Sequence, residues 1–177
     1  MANEYFKQIT LPFSEISTDD IKGDLVVEHL DPSTNTGIRY WKLKDNVLEQ
    51  SIINMFSSLG LNNPIITYAE VDRNIWLHRD INGTVVVNHC IDTPEAKTTF
   101  YIPKENYTGV NIDGNIIYEQ QNCIKQAEFI AWSNSSYILD VSIIHGVTLS
   151  KYGVRKFLSV GFLEWTYEAL IEHLGLT

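Results

Sequence analysis

Apolar and polar positions alternate along most of the chain after residue 63. Residues 64–71 (PIITYAEV), 84–91 (TVVVNHCI) and 97–102 (KTTFYI) combine a two-residue period with β-branched and aromatic side chains, and each predicts a strand. Residues 110–118 place Asp113-Gly114 between two alternating arms. Asp-Gly supplies the positive φ angles of a tight hairpin turn, so this stretch predicts a β-hairpin. Residues 74–77 are strand-like, and further strands are predicted over 124–131, 137–144 and 154–163. Many short strands with turn residues between them suggest an all-β sandwich or barrel.

Helical periodicity is confined to the flanks. Over residues 46–59, Val47, Ile52, Ile53, Phe56 and Leu59 form one broad apolar face ahead of Gly60. Residues 164–174 repeat the pattern with Trp165, Ala169 and Leu170 and close at Gly175. Residues 18–30 predict a third helix, capped by Ser17 or Thr18 and stopped by Pro32, although Gly23 weakens it. The expected organisation is a single domain over 1–177. It has N-terminal support over 1–60, a β core over 64–163 and a C-terminal helix over 164–177, with helices flanking the β layers.

Composition narrows the partners. A formal charge of -9, with thirteen Lys and Arg spread along the chain, lacks the basic face that nucleic-acid phosphates require. No apolar run reaches the roughly 20 residues that span a bilayer, and no membrane partner is expected. Cys90 and Cys123 are too few and too far apart for a disulfide framework or a thiolate metal site. The N-terminus lacks the basic start and apolar run of a signal peptide, so the expected location is cytoplasmic. The Asn-x-Ser/Thr triplets at Asn82, Asn106 and Asn134 are then incidental to an Asn- and Thr-rich chain.

Five histidines occur. His29 and His173 fall in predicted helices and suit surface or packing roles. His78-Arg79-Asp80 is an H-x-D triplet at the end of a strand-like segment. In an extended chain, residues two apart project from one face, which aims an imidazole and a carboxylate at a common point. By itself the triplet reads as an exposed turn, with Asp80 helping to start the loop over 81–83. His145, preceded by Ile143 and Ile144, by itself reads as a buried core histidine, and Arg155 at a strand start as a solvated rim residue. In this order, H-x-D, a lone His and an Arg ten residues later form the signature of a 2-His-1-carboxylate metal site with an anion clamp.

With these residues the chain resembles the Fe(II)/2-oxoglutarate-dependent dioxygenase superfamily, and within it the prolyl hydroxylase and aspartyl/asparaginyl hydroxylase branches. Residues 84–94 resemble the strand that follows H-x-D there. His145-Gly-Val and Arg155-Lys-Phe-Leu-Ser-Val-Gly-Phe resemble the closing strands. The resemblance covers roughly residues 64–163 and implies a double-stranded β-helix, or cupin-like jelly roll. It also implies iron ligands at His78, Asp80 and His145, and a clamp at Arg155 for the distal carboxylate of 2-oxoglutarate. His89 is a weaker candidate for cosubstrate binding. Val87 and Phe157 depart from the family pattern, where an Arg and a Ser are frequent. The implied cofactors are Fe(II), 2-oxoglutarate and O2, with ascorbate as a reductant. The implied reaction is hydroxylation of a C–H bond in a small molecule or peptide, with an amino-acid side chain as one candidate. Residues 103–121 and the N-terminal third are the expected substrate-contacting regions. Trp76, Tyr68 and Trp132 are near enough in sequence to line the pocket, though each suits the core. Two alternatives stay open: a cupin-like metal protein without 2-oxoglutarate chemistry, and a non-catalytic jelly roll. The oligomeric state is not fixed by the sequence.

Overall fold

The structure, a computed structural model, describes residues 5–12, 21–31, 35–81, 83–112, 115–150 and 153–176. Two antiparallel sheets face each other. The first has seven strands: β1 (Phe6–Ile9), β2 (Lys22–Asp31), β3 (Thr36–Leu43), β4 (Ile65–Val71), β6 (Val85–Asp92), β11 (Ser135–Asp140) and β13 (Arg155–Phe162). Its spatial order is β1-β11-β6-β13-β4-β3-β2. The second has six: β5 (Ile75–Asp80), β7 (Ala96–Pro103), β8 (Val110–Ile112), β9 (Asn115–Tyr118), β10 (Cys123–Ala131) and β12 (Ile144–Leu149). These run in the order β10-β7-β12-β5-β9-β8. Apart from the β8–β9 hairpin, the strands from β4 onward alternate between the sheets except at β7 and β10, which pair within the second sheet, so that four strands fall in each. This is the double-stranded β-helix, or jelly roll.

The two helices, α1 (Asn46–Ser58) and α2 (Tyr167–His173), pack on the outer face of the seven-stranded sheet. Ile52 and Phe56 of α1 and Leu170 of α2 meet the outward residues Val85, Val87, Leu158 and Phe162. Phe56 and Phe162 pack edge to face with centroids 5.2 Å apart. β6 (VVVNHCID) and β13 (RKFLSVGF) present apolar groups to the helices and a mixture of apolar and polar groups to the space between the sheets. The helix α1 begins where Asp45 accepts the backbone N–H groups of Val47 and Leu48, and it stops at Gly60 (φ 78°). Val47 is 79% exposed rather than on the buried face. Five residues from Ile52, it sits about 140° around the helix.

The region predicted as a third helix is strand over Lys22–Asp31, paired along its length with β3. Thr18 and Pro32 lie outside the described residues. Val26-Val27 and Gly23 are poor helix material, and the deciding partner, β3, is supplied from a distance. The predicted strand 137–144 is two strands. Asp140 accepts the backbone N–H and the hydroxyl of Ser142, at 3.0 and 2.6 Å, and this turn carries the chain from one sheet to the other. The predicted hairpin is present, with Ile112 opposite Asn115. Its turn residues, Asp113 and Gly114, lie outside the described residues. No helix among the described residues is long and apolar enough to cross a membrane.

Candidate metal and oxoacid site

Between the sheets, two apolar clusters flank a cavity of about 70 Å³. That is several times the roughly 10–15 Å³ that seats one water. His78, Asp80, His145 and Arg155 all line it. Two strands deliver the first three: β5 carries His78 and Asp80, and β12 sets His145 directly opposite His78. The register between these strands steps by three residues on β5 (His78 to Ile75) and by two on β12 (His145 to Val147). This bulge lets Ile75 and His78 face the same cavity although they stand three positions apart. Gly146 makes the bulge possible. A Cβ there would stand 2.7 Å from Leu77 Cδ2 and 3.1 Å from the Ile75 carbonyl.

Both rings are held by their own backbones. His78 Nδ1–H donates to the Trp76 carbonyl at 3.0 Å, and His145 Nδ1–H to the Ile143 carbonyl at 2.9 Å. With Nδ1 committed as the donor, Nε2 of each ring is the lone-pair nitrogen, the tautomer a metal ligand requires. His78 Nε2 lies 3.7 Å from Asp80 Oδ1, and the two rings have centroids 4.3 Å apart. Burial, reinforced by the neighbouring His145, pushes His78 down to about 4, and burial lowers His145 as well. Both imidazoles are therefore neutral at pH 7. Burial raises the Asp80 carboxyl, partly offset by His78. Among the described residues no group of three or more His, Cys, Asp or Glu side chains is arranged so as to hold a metal ion. What the site offers is a donor set: two neutral nitrogens and one carboxylate on one wall of a cavity, chemistry that suits a divalent ion of the iron type.

The opposite wall is cationic. Arg155, at the start of β13, is 2% exposed, and no carboxylate among the described residues pairs with it. Its contacts are long ones, from Nη1 to Thr98 Oγ1 at 3.4 Å and from Nη2 to Cys90 Sγ at 3.7 Å. Its Nε has no hydrogen-bond partner. The Phe157 ring lies 4.9 Å from the guanidinium carbon. A buried, unpaired cation is costly, because buried charges are ordinarily paired and hydrogen-bonded.

The structure also redistributes several sequence candidates. His89 does not reach the cavity. Alternation on β6 turns Val86 and Asn88 inward and His89 outward, where its ring bonds Ser136 Oγ at 2.9 Å. Counting residues from His78 could not reveal that parity. Tyr68 packs in the outer core against Trp41, and Trp132 is 58% exposed. Trp76 lines a neighbouring pocket together with His29, which lies on β2 rather than on a helix. His173 does end a helix, with Nε2 bonded to the Leu59 carbonyl at 2.7 Å. Sequence reasoning passed over Asn88, Tyr40, Thr98 and Ser159, all of which line the cavity. Asn88 Oδ1 is buried without a partner. Ser159 was legible, since it stands four residues after Arg155 and shares its strand face.

No protein-family model matches the chain, and no curated protein matches it in sequence. Solved structures match its fold. E. coli ycfD aligns with a TM-score of 0.56 at 11% identity, over 96% of this chain and 52% of that one, so the chain spans about half of its length. The epimerase SnoN in complex with Fe3+, alpha ketoglutarate and nogalamycin RO aligns at 0.51 and 8% identity, over 77% of this chain and 68% of that one. A second structure, the non-heme alpha ketoglutarate dependent epimerase SnoN from nogalamycin biosynthesis, gives 0.51 and 9%, over 79% and 65%. At these identities the likeness is one of fold, and the chain is a cupin-like jelly roll with a two-His, one-Asp, one-Arg cavity between its sheets.

Proposed function

We propose that the protein is an Fe(II)- and 2-oxoglutarate-dependent dioxygenase that hydroxylates a C–H bond, with an amino-acid or peptidyl side chain as substrate. The observation that carries this reading is the buried Arg155 guanidinium with its unpartnered Nε, sharing one cavity with His78, Asp80 and His145. A buried cation calls for a carboxylate, and a planar guanidinium suits one better than an ammonium does. The two neutral rings and the single carboxylate would hold the metal and leave a divalent site with net positive charge, which draws a dianion. The SnoN structure that shares the fold holds Fe3+ and alpha ketoglutarate.

When bound, iron and 2-oxoglutarate supply the oxidation: one oxygen atom of O2 enters the C–H bond and the other enters succinate as CO2 leaves. The chain's own work is placement. Backbone carbonyls at Trp76 and Ile143 fix both imidazoles in one tautomer. Arg155 would anchor the far carboxylate, with Asn88, Thr98 and Ser159 as neighbouring polar groups. The clusters around Val71 and Phe100 keep bulk water out.

The test is anaerobic titration of the iron-loaded protein with 2-oxoglutarate, followed by succinate formation in air with ascorbate and candidate substrates. The expected results are a weak absorption band in the green and a turnover that His145→Ala abolishes. No band, and succinate at background, would overturn the reading. One observation favours a second reading, a jelly-roll metal protein indifferent to 2-oxoglutarate: Phe157 lies against the guanidinium where a hydroxyl would help to seat a carboxylate. In that case metal binds and the titration stays silent.

A further inference from the structure

A second pocket, of about 690 Å³, adjoins the cavity and falls in the size range of sites for small ligands. Its walls come from β2, the β8–β9 hairpin and Trp76 of β5. A chain of edge-on rings joins it to the metal-side wall: His29 to Trp76 at 6.4 Å, then Trp76 to His78 at 6.4 Å. We propose that this pocket receives the substrate, and that it selects a side chain with an apolar stem and a cationic head, an amine or a guanidinium. The inference rests on the oxygenase reading only in calling that ligand a substrate.

Three observations carry it. The walls are aromatic and aliphatic, with Trp76, Tyr107 and Tyr118 beside Val110 and Ile112. The last two are 61% and 51% exposed, large apolar groups that the fold's own core does not cover. Among the described residues the charged lining is all of one sign: Glu28, Asp31 and Glu119 contribute to it and no Lys or Arg does. Glu28 is paired with Arg39 at 2.6 Å, and that arginine is shared with Asp72. Glu119 is held by the side-chain amides of Gln121 and Asn122, both at 3.0 Å, which fix its position and leave its charge intact. Finally, the indole N–H of Trp76 is buried without a partner and calls for an acceptor, which the carbonyl of an amide or peptide bond beside that side chain would supply.

Aromatic faces attract cations and an acidic rim adds long-range pull. An apolar stem would cover the exposed Val110 and Ile112. The adjoining cavity has the opposite character, a buried guanidinium that attracts anions. The two compartments thus sort a dianionic cosubstrate from a cationic substrate by charge, each repelling the other's ligand.

The test measures binding on the full-length protein by ligand-detected NMR, which needs no turnover. The probes are the acetylated amides of lysine, arginine, norleucine and glutamate. Lysine or arginine amide is expected to bind at least tenfold tighter than norleucine amide, and glutamate amide not at all. The preference should shrink in 0.5 M salt and fall to within about threefold of norleucine in Glu119→Gln/Asp31→Asn, with the melting temperature checked in parallel. Free L-lysine compared with a lysine-containing peptide separates a free amino acid from a peptidyl residue. Equal binding of norleucine amide, or no binding of the cations by a protein that still takes up 2-oxoglutarate, overturns this inference alone. Cation binding by a protein that ignores 2-oxoglutarate overturns the oxygenase reading and leaves the cation pocket standing.

Discussion

Arg155 is a residue whose burial makes little sense for stability. A guanidinium that is 2% exposed and has no carboxylate partner among the described residues costs folding free energy that its two long contacts do not return. Arg155→Met should therefore leave stability unchanged or raise it by about 1–4 kcal/mol in urea unfolding. The same change should abolish 2-oxoglutarate binding. A clear loss of stability would mean that the arginine is a structural group. The imidazoles make a second prediction at this scale. In the unfolded chain His78 and His145 return to about 6.5. In the folded, metal-free protein burial holds both lower, with His78 at about 4. Between those values the unfolded state binds more protons, so stability falls as pH falls through that window. Asp80, raised by burial, acts in the opposite sense, and comparison with His78→Gln isolates the ring. Denaturation midpoints of metal-free protein at pH 7.5 and pH 5 check this. The drop should be larger in the wild type, and equal slopes would remove the case for buried neutral rings. The residues of the H-x-D triplet were legible because a two-residue period fixes their common face. Asn88 was not, because nothing local distinguishes an inward position from an outward one.

Among the elements, the β5 bulge is the device that aims His78. It depends on the close approach of Gly146 to the β5 backbone, where an added Cβ would meet Leu77, Ile75 and Trp76. Gly146→Ala should cost about 1–3 kcal/mol by overpacking. It should also weaken metal affinity about 10–100-fold, as loss of ligand support does. Gly161→Ala is the control, because its nearest contacts would be at 3.9 Å and the sheet has room for it. Isothermal titration with Fe(II) or Mn(II) compares the two, and equal affinities would show that the bulge does not position the ring. Element type was legible where the period was long and the caps were local, as in α1 with Asp45 and Gly60. It failed over residues 22–31, where pairing with β3 overrides what the segment suggests alone. It also failed at Asp140–Ser142, a turn made by one side chain inside an apolar run.

Taken whole, the molecule separates support from chemistry by the two faces of its seven-stranded sheet. The outer face binds the helices, and the inner face lines the cavity. Phe56→Ala, on the helix side, should cost about 3–5 kcal/mol of stability. Because Phe56 packs in the outer core, metal affinity below the melting range should stay within about twofold of wild type, measured by the same titration. A large loss of affinity would show the two faces to be coupled. The same separation explains His89: it is buried, but on the supporting face.

Residue order by itself determined most of the alternating strands and the two flanking helices, and it singled out His78, Asp80, His145 and Arg155 as candidates, because periodicity and short motifs are local. Tertiary structure decided which of these residues meet. The bulge turned His78 inward, the cross-sheet turn delivered His145 opposite it, and strand parity admitted Asn88 and turned His89 away. It also created the acidic, aromatic pocket from β2 and the β8–β9 hairpin. Convergence of this kind depends on register between strands distant in the chain, and register is set by packing of whole faces rather than by any one segment.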